Sequence, residues 1–438
     1  MWDLKIDTRR LVEGFSTSVL WERPNILWNK ADDWWNDNYV TDPSTAAFLS
    51  ATGIIDPNKQ NYVNNLVIAL KNQGLWNKMK AIYPFVSEQR NYLNYTEDIG
   101  NTYWQLIGGT LRTPNYAAAP NGTTTACRIY NGGAIQNPGI NKEIGTYVFS
   151  FYVKMTAGGT GTLRVFLDGG VTTTVVNVTA SWTRVQVSKT FATVDSGTVG
   201  FFVDSDVLIW GPQFELGSTA TDYQVTINAQ EQFAAAYKYN LKDPQDTDAA
   251  FRLKIFGTWT FTPTGAKPNG TNAYMDTLFN PSGNPDVGNN YMSISAYTNS
   301  NLSGTNSNII AAYDSSRETG IAPKWSGDTL YTVINDNVFT NIGFVNNSSP
   351  GFYIANKNNT GNITGFKNAT KVINGANLSD GKTNLKLYIG ARNLGSTADR
   401  FSTYNIEFVH IGMGLTDTEA LALYTIVQQF QTSMARQV

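Results

Sequence analysis

The chain contains 438 residues, which is enough for two or three domains. Its 32 Lys and Arg residues against 34 Asp and Glu residues give a net charge of −2, which excludes the basic surface that nucleic-acid binding requires. Charged residues make up only 15% of the chain, aromatic residues 13%, and glycine occurs 38 times, so the composition indicates a turn-rich, all-β protein with a neutral polar surface.

The first 47 residues differ from the rest of the chain because tryptophan is frequent and no regular apolar pattern is present. An aromatic segment without a pattern for its own core is typical of an arm that attaches to something larger, since aromatic side chains anchor interfaces efficiently. An extended arm folded over its own domain is the alternative. The candidate attachment residues are Trp2, Trp21, Trp28, Trp34 and Trp35.

Residues 48–86 are predicted to form a small helical segment that packs on the C-terminal part of the chain. Asp56 and Pro57 supply a helix cap and a first turn, and apolar residues then recur at helical spacing until Gly74. A second short helix is expected over residues 75–85, stopped by Pro84.

Residues 87–232 change to a pattern of short strands. Residues 147–154 alternate between an apolar series (Tyr, Phe, Phe, Val) and a more polar series (Val, Ser, Tyr, Lys), the period-two signature of a half-buried strand. Glycine-containing turns separate several similar runs, and this spacing predicts one antiparallel β-sandwich. The further strands are expected at residues 163–167, 173–178, 183–187, 199–203 and 207–210.

Residues 233–438 are predicted to form a second β-region that ends in a helix. Thr416 and Glu419 have the spacing of a capping box, and an apolar stripe follows them. The fold class is therefore mainly β: two antiparallel β-sandwiches, a small, partly helical N-terminal region and a C-terminal helix. The strands of the second region are expected at residues 251–256, 291–297, 308–313, 329–334, 351–356, 386–392 and 404–413.

Three motifs of residues 87–232 carry a resemblance to a known family. The domain opens with NYTED at 94–98 and APNGTTTA at 119–126, and it closes with LIWGPQFELGSTATDY at 208–223. Both ends resemble the carbohydrate-binding-module-like sandwiches of phage tail and virion proteins, in the same order and at a similar separation. The resemblance implies a jelly-roll sandwich and a phage context.

The segments that flank this domain resemble phage structural proteins with a concanavalin-like (laminin-G-like) sandwich. In that family the segment matching residues 74–85 is soon followed by the segment matching YNLKDP at 239–244, whereas here roughly 145 residues intervene. The resemblance implies that the sandwich at 87–232 is inserted into a loop of the concanavalin-like sandwich at 233–438, as surface loops with nearby ends tolerate. The other matching segments are DAAFRL at 248–253, GAKPNGTN at 265–272, LYT at 423–425 and FQT at 430–432.

Cys127 is the single cysteine and His410 the single histidine, which excludes a disulfide framework and a Cys- or His-rich metal site. His410 lies in an apolar run and is expected to be packed within or at the edge of a strand, and Cys127 is expected to be a small buried hydrophobe.

An acidic cluster lies in a Pro-containing turn, and its side chains are predicted to cap the turn and to be solvated. A Ca²⁺ site is the alternative. Neither a metal nor a cofactor is predicted. The acidic cluster is Asp243, Asp246 and Asp248.

Catalysis is not predicted. The resemblance to concanavalin-like sandwiches raises the possibility of a glycan hydrolase, since hydrolases of that fold place acidic residues on one strand as Glu-x-Asp-x-x-Glu. A retaining mechanism needs two carboxylates about 5 Å apart. This motif is absent from the sequence, so no catalytic residue is assigned and the protein is expected not to be an enzyme.

Sugar binding would use aromatic platforms surrounded by amides and carboxylates, because pyranose faces are apolar and their rims form hydrogen bonds. The period-two pattern places Trp104, Trp182 and Trp210 in or near the sandwich core. The low charge of the chain indicates a neutral or weakly acidic glycan. The candidate exposed contacts are Tyr130, Tyr152 and Trp325.

We therefore expect a phage virion protein, a fibre, spike or head decoration, assembled in the host cytoplasm. It would contact other virion proteins through its N-terminal arm and host surface glycans through its sandwiches, as a homo-oligomer with a trimer as the first choice. A decoration or adaptor protein without glycan binding is the alternative, and a polysaccharide depolymerase is a third. A signal peptide is not expected, because the first residues show no basic region followed by an apolar stretch. Membrane insertion is not expected either, because no segment approaches the roughly 18 apolar residues of a membrane span.

Overall fold

The computed structural model describes residues 41–88, 91–137, 142, 144–303, 306–325, 327–336, 343–359, 362–376 and 381–438. Over these residues the protein is mainly β, with antiparallel sheets that form sandwiches, helices near the start and a helix at the C-terminus. This confirms the predicted fold class. The domain boundaries given above stay a prediction.

Two helices, α1 (Pro43–Thr52) and α2 (Pro57–Asn72), open the described part of the chain. The Asp56 carboxylate caps α2 by accepting hydrogen bonds from two backbone amides of its first turn, at 2.8 and 3.4 Å. Gly74 follows the helix with φ +66°, a conformation that favours glycine. The prediction of this helix is confirmed. Its buried apolar residues are Val63, Leu66, Val67 and Leu70.

The second helix predicted at residues 75–85 is wrong. A single 3-10 turn (Trp76–Lys78) leads into strand β1 (Met79–Tyr83), which pairs antiparallel with strand β27 (Ile406–Gly412). Alternate side chains of β1 enter two different apolar cores, so the strand is buried on both sides. A short apolar run of this kind fits a helix or a buried strand equally well, and pairing with a distant strand decides between them.

Residues 105–216 form two five-stranded antiparallel sheets that share one apolar core. Their strands are β2 (Gln105–Ile107), β3 (Leu111–Ala117), β4 (Ala126–Tyr130), β5 (Ala134–Asn137), β6 (Gly145–Met155), β7 (Gly161–Phe166), β8 (Thr174–Val178), β9 (Thr183–Phe191), β10 (Val199–Phe202) and β11 (Val207–Leu216). The first insert sheet has the order β2-β5-β10-β7-β8, and the second insert sheet has the order β3-β4-β11-β6-β9. Phe149, Phe151 and Phe201 meet at the centre of the core, with ring centroids 4.6–5.3 Å apart.

The remaining strands form an eight-stranded and a nine-stranded sheet, which we call the C-terminal sandwich. They are β12 (Lys254–Phe256), β13 (Trp259–Thr262), β14 (Gly265–Pro268), β15 (Tyr274–Asp276), β16 (Tyr291–Thr298), β17 (Ile310–Tyr313), β18 (Glu318–Trp325), β19 (Thr329–Asp336), β20 (Gly343–Val345), β21 (Gly351–Asn358), β22 (Asn362–Lys367), β23 (Thr370–Ala376), β24 (Tyr388–Ile389), β25 (Arg392–Leu394), β26 (Thr397–Asp399), and the β27 already named. The eight-stranded sheet has the order β13-β14-β27-β16-β21-β22-β23, with β1 beside β27, and the other strands form the nine-stranded sheet.

The chain leaves the C-terminal sandwich after β1 and returns to it beside the same strand. The backbone amide of Leu241 donates to the carbonyl oxygen of Ile82 at 2.8 Å, and the Ile82 amide donates to Oδ1 of Asn240 at 2.9 Å. A helix that the sequence analysis did not anticipate, α3 (Ala229–Tyr237), precedes the returning segment and buries two aromatic side chains in the core of the C-terminal sandwich. Entry and exit of the intervening sandwich therefore lie at one place.

The C-terminal helix α4 (Asp417–Ser433) begins at the predicted capping box. The Thr416 hydroxyl accepts a hydrogen bond from the Glu419 amide at 3.2 Å, and the Glu419 carboxylate accepts one from the Thr416 amide at 2.8 Å. In the described part of the chain, none of the helices has both the length and the apolar character needed to cross a bilayer.

Replacing Thr416 with Ala is expected to lower the free energy of unfolding by about 1 kcal/mol, because one backbone amide of the first turn of α4 loses its partner. Chemical denaturation of the two proteins measures the difference. Thr416→Ser keeps the hydroxyl and serves as the control. Equal stability of the wild type and T416A would contradict the capping assignment.

Candidate functional site

The second insert sheet has one side in the core and one side facing outward. On β6, Phe149 and Phe151 enter the core, and Ser150, Tyr152 and Lys154 alternate with them on the outer face. This alternation is what a pleated strand requires, and it follows directly from the period-two pattern in the sequence.

Strand pairing shows which residues of the neighbouring strands also lie on the outer face, because directly opposed residues share a face. Tyr152 is opposite Trp210 on β11 and Arg184 on β9, and Lys154 is opposite Leu208 on β11. The resulting surface, together with two rings from neighbouring segments, gathers six aromatic side chains. We call it the aromatic face and define it by Tyr116, Tyr130, Tyr152, Trp182, Trp210 and Tyr223.

Trp210 anchors the aromatic face. Its side chain is only 4% exposed, and its indole N–H donates to the Thr125 hydroxyl at 2.9 Å. The Tyr152 ring lies 5.5 Å and the Tyr223 ring 4.6 Å from it, centroid to centroid. Gly211 permits this packing, since it has φ +60° and a side-chain carbon there would come within 3.2 Å of the Tyr223 ring. Trp210 is therefore a structural residue of the face.

Five rings of the face are partly or fully exposed, and a cation lies over each of them except Tyr223. The Arg128 guanidinium lies 4.3 Å from the centre of the Tyr130 ring and 5.3 Å from that of Tyr116. On the other side of Trp210, the Arg184 guanidinium lies 5.7 Å from the Tyr152 ring, and the Lys154 ammonium lies 5.2 Å from the Trp182 ring. A cation positioned over an aromatic ring in this way is attracted to it electrostatically.

The cations of the face differ in how they are held. Arg128 forms a bidentate ion pair with the Asp206 carboxylate, which lies 3.0 Å from Nε and 2.6 Å from Nη2. This pairing lowers the pKa of the Asp206 carboxyl below its usual value. Arg184 donates through Nη2 to the Ser150 hydroxyl at 3.0 Å, but its buried Nε has no partner among the described residues. Lys154 makes no ion pair within the same part of the chain.

One end of the outer face is closed by the segment at 217–223. The buried Glu215 carboxylate accepts hydrogen bonds from the amide of Thr221 at 2.9 Å, from its hydroxyl at 2.6 Å and from the Gln213 amide group at 2.7 Å. This carboxylate is satisfied from within the protein. The open part of the face is therefore the part that carries Arg128, Lys154 and Arg184.

The structure places two of the three predicted sugar contacts together and the third elsewhere. Tyr130 and Tyr152 both lie on the aromatic face and are partly exposed. Trp325 lies on β18 of the C-terminal sandwich, where the Arg400 guanidinium covers its ring at 4.1 Å and the Tyr331 ring lies 5.7 Å away. Trp325 is partly exposed, as Tyr130 and Tyr152 are, but it lies in the C-terminal sandwich and does not belong to the aromatic face.

Three partly or fully exposed residues of the face are not among the contacts predicted from the sequence. Trp182, predicted to lie in or near the core together with Trp104 and Trp210, is partly exposed. Tyr116 is 46% exposed and Tyr223 is partly exposed. Trp104 is buried as expected, at 1% exposure. The position of Trp182 just before β9, at the edge of the sheet, is the signal that could have distinguished it. The five candidate attachment residues, Trp2, Trp21, Trp28, Trp34 and Trp35, lie outside the described residues.

In the acidic cluster before β12, aspartate carboxylates form ion pairs with basic side chains. Asp246 contacts Lys238 at 2.6 Å and Arg252 at 2.7 Å, and Asp248 contacts Arg252 at 2.9 Å and Lys254 at 2.7 Å. These contacts lower the pKa of both carboxyls. Within the part of the chain that the structure describes, no group of three or more His, Cys, Asp or Glu side chains is arranged to hold a metal ion.

His410 and Cys127 are buried inside the two sandwiches. The His410 ring lies between the hydroxyls of Ser293, 3.2 Å from Nε2, and Ser295, 2.7 Å from Nδ1, and burial lowers its pKa to about 3. Cys127 is 1% exposed, and burial raises the pKa of its thiol to about 12. Both side chains are neutral and enclosed, so neither has access to a substrate.

No protein-family model and no curated protein matches the chain. Among solved structures, it is similar to the C-terminal family 6 carbohydrate-binding module of LamC, a marine laminarinase from Zobellia galactanivorans, at 18% identity over 26% of this chain and 94% of that chain, with a TM-score of 0.20. The C-terminal family 22 carbohydrate-binding module of Clostridium thermocellum Xyn10B is similar at 16% identity over 31% of this chain and 100% of that chain, with a TM-score of 0.23.

A phage protein is also among the structural neighbours. The enzymatically active domain of tailspike protein 4 from bacteriophage CBA120 is similar at 12% identity over 29% of this chain and 21% of that chain, with a TM-score of 0.22. The neighbours named here are thus carbohydrate-binding-module β-sandwiches and one phage tailspike. At these identities and TM-scores the likeness carries no conclusion about ligand or activity.

Proposed function

We propose that the protein is a bacteriophage virion component, a fibre, spike or head decoration, that binds host surface glycans through the aromatic face without cleaving them. The sequence motifs that resemble phage virion sandwiches support the virion context. The Trp-rich arm would contact other virion proteins, and a homo-oligomer, with a trimer as the first choice, would add avidity to weak individual contacts.

The observation that carries the glycan proposal is the composition of the aromatic face. Five of its rings are partly or fully exposed, and nitrogen donors on Arg128, Lys154 and Arg184 lie over four of them, Tyr116, Tyr130, Tyr152 and Trp182. A buried interface between subunits would favour aromatic and aliphatic groups with few unpaired charges at its centre. Aromatic surface combined with fixed donors suits a ligand that is apolar on its faces and polar at its rim, as a sugar is.

Replacing Trp182 or Tyr130 with Ala is expected to weaken binding of an envelope polysaccharide by about tenfold, because each change removes a ring that borders the open face. Binding is measured by isothermal titration with the purified full-length protein, and release of reducing ends is followed in the same sample. No release is expected, in line with the proposal that the protein is not an enzyme.

Phe256→Ala is the matched control, since Phe256 is an aromatic residue that is 42% exposed but lies on β12 of the C-terminal sandwich. Its affinity should equal that of the wild type. Loss of binding in F256A with retention in W182A and Y130A would locate the glycan away from the aromatic face. Release of reducing ends would contradict the non-enzymatic part of the proposal.

A structural role without glycan binding is a second candidate, supported by a different surface. The edge strand β2 of the first insert sheet is exposed at all three residues, with Leu106 at 38% and Ile107 at 47%, and the nearby Leu111 is 46% exposed. An exposed apolar edge strand is a common site of pairing with another chain. This candidate predicts that Leu106→Lys lowers the oligomeric state, whereas W182A leaves the particle and host attachment unchanged.

A further inference from the structure

The charge on the open part of the aromatic face is opposite in sign to that of the whole chain. The outward-facing charged side chains on the strands of the second insert sheet are three cations, Arg128, Lys154 and Arg184, and the buried Glu215 at the closed end. Asp206 neutralises Arg128. The open part therefore keeps two positive charges that no carboxylate among the described residues balances, although the chain as a whole carries −2.

The two unbalanced cations start from neighbouring positions of the sheet. Arg184 is directly opposite Tyr152 on the neighbouring strand, and Lys154 is two residues along β6 from Tyr152, on the same face. Neighbouring strands are about 4.8 Å apart and alternate residues along a strand about 7 Å apart, so both side chains leave the backbone at the border of one sugar-sized patch around Tyr152. The guanidinium lies against Ser150 and the ammonium over the Trp182 ring, so the two charges flank this patch and both attract an anion.

Neighbouring rings and cations already cover part of the ring faces in this patch, so less of each face is open for stacking with a sugar. Trp210 lies against the Tyr152 ring at 5.5 Å, and the Arg184 guanidinium is positioned over that ring at 5.7 Å. The Lys154 ammonium lies over the Trp182 ring at 5.2 Å. A neutral sugar that stacks on these ring faces must displace a cation, whereas an anionic group can be held by the cation in place and leave the sugar ring against the aromatic edge.

Resting on the proposed function of this face, we infer that its ligand is an acidic glycan, whose anionic groups are bound by Lys154 and Arg184. Neither cation forms an ion pair among the described residues, so a carboxylate or a phosphate of the glycan supplies the missing partner. The inference replaces the expectation of a neutral or weakly acidic ligand, which followed from the low charge of the whole chain. The local charge of the face, rather than the net charge, decides what the face attracts.

The inference is tested with the full-length protein, with alginate and polygalacturonate as probes and with the carboxyl-reduced, neutral form of each as the matched ligand. We expect binding to the native acidic polymers, loss of binding after reduction of the carboxyl groups, and weaker binding at raised salt. Lys154→Gln and Arg184→Gln should each weaken binding by about tenfold, since each removes one charge-assisted contact. Lys154→Arg keeps the charge and should retain most of the affinity.

Lys267→Gln makes the same change in net charge at an exposed lysine of the C-terminal sandwich and should leave binding unchanged. Thermal unfolding of each variant separates loss of contact from loss of fold. Equal or tighter binding of the neutral polymers overturns the inference and leaves the proposed glycan binding intact, and so does acidic-polymer binding that K154Q and R184Q do not change. Binding to neither form overturns the inference, whereas the proposed function is overturned only when the titration with the envelope polysaccharide also shows no binding.

Discussion

Glu407→Gln is expected to abolish a loss of stability that the wild-type protein shows as the pH rises from about 4.5 to about 8. Glu407 lies on β27, is 0% exposed, and its Oε2 has no hydrogen-bond partner among the described residues. Its Oε1 accepts a long hydrogen bond, 3.3 Å, from the Asn405 amide group, and the Asn299 side chain also donates to this carboxylate. Burial raises its pKa to about 8, although the nearby Arg436 guanidinium acts in the opposite direction.

The sign of the effect follows from proton binding. Between the ordinary pKa of 4.5 and the folded-state pKa of about 8, the folded protein holds a proton on Glu407 that the unfolded chain releases. Raising the pH therefore favours the unfolded chain, by about 1.4 kcal/mol per pH unit for one such group. This contribution is fully present below pH 4.5 and is lost as the pH passes through 8. Glutamine has no proton to lose, so E407Q lacks this dependence.

Urea unfolding at pH 5, 6.5 and 8 measures the difference between the wild type and E407Q. Glu231→Gln, at an exposed position in the first turn of α3, serves as the control for a simple change of charge. The difference between the wild type and E407Q should widen steadily with pH, whereas E231Q should follow the wild type. Parallel pH profiles of the wild type and E407Q would contradict the burial of an uncompensated carboxyl at this position.

Asn240→Ala is expected to lower the free energy of unfolding by about 3 kcal/mol or more. Asn240 is 0% exposed, and its Oδ1 accepts hydrogen bonds from the amides of Ile82 at 2.9 Å and Lys242 at 3.0 Å. Its Nδ2 donates to the carbonyl oxygens of Ala250 at 3.0 Å and Lys80 at 3.3 Å. Alanine would leave these backbone groups without a partner in the interior, where each costs about 1–3 kcal/mol.

The large effect of N240A follows from where Asn240 lies. It joins the segment that returns from the inserted sandwich to β1, the strand from which the chain departed. Asn269→Ala, at an exposed asparagine in the turn after β14, is the control and should cost well under 1 kcal/mol. Urea unfolding of both variants makes the comparison, and a cost for N240A as small as that for N269A would show that this junction does not depend on the asparagine.

Much of the fold could be predicted from the sequence, because its strands follow local patterns. The alternation at 147–154 is the observed alternation of β6, and the Thr416 and Glu419 spacing is the observed start of α4. The segment at 75–85 could not be assigned in this way. Its apolar run is compatible with two structures, and the strand β27 that fixes one of them lies at the far end of the chain.

The candidate site was predicted in part for the same reason. Tyr152 was identified because its outward position follows from the period of its own strand. The Arg400 guanidinium, 4.1 Å from the centre of the Trp325 ring, could not be predicted, because Arg400 lies on a separate segment. The pairing of Lys154 with the Trp182 ring likewise depends on how β6 and β9 align, and strand register is not evident in either segment alone.

Carbene footprinting of the full-length protein, with and without a saturating envelope polysaccharide, tests the central claim most directly, because it reports where the glycan lies on the unaltered chain. Labelling of Tyr116, Tyr130 and Trp182 on the aromatic face is expected to fall when the polysaccharide is bound, while labelling of the exposed Phe256 on the C-terminal sandwich stays the same. Protection of Phe256 with unchanged labelling of the three face residues, or no protection anywhere, would contradict the account.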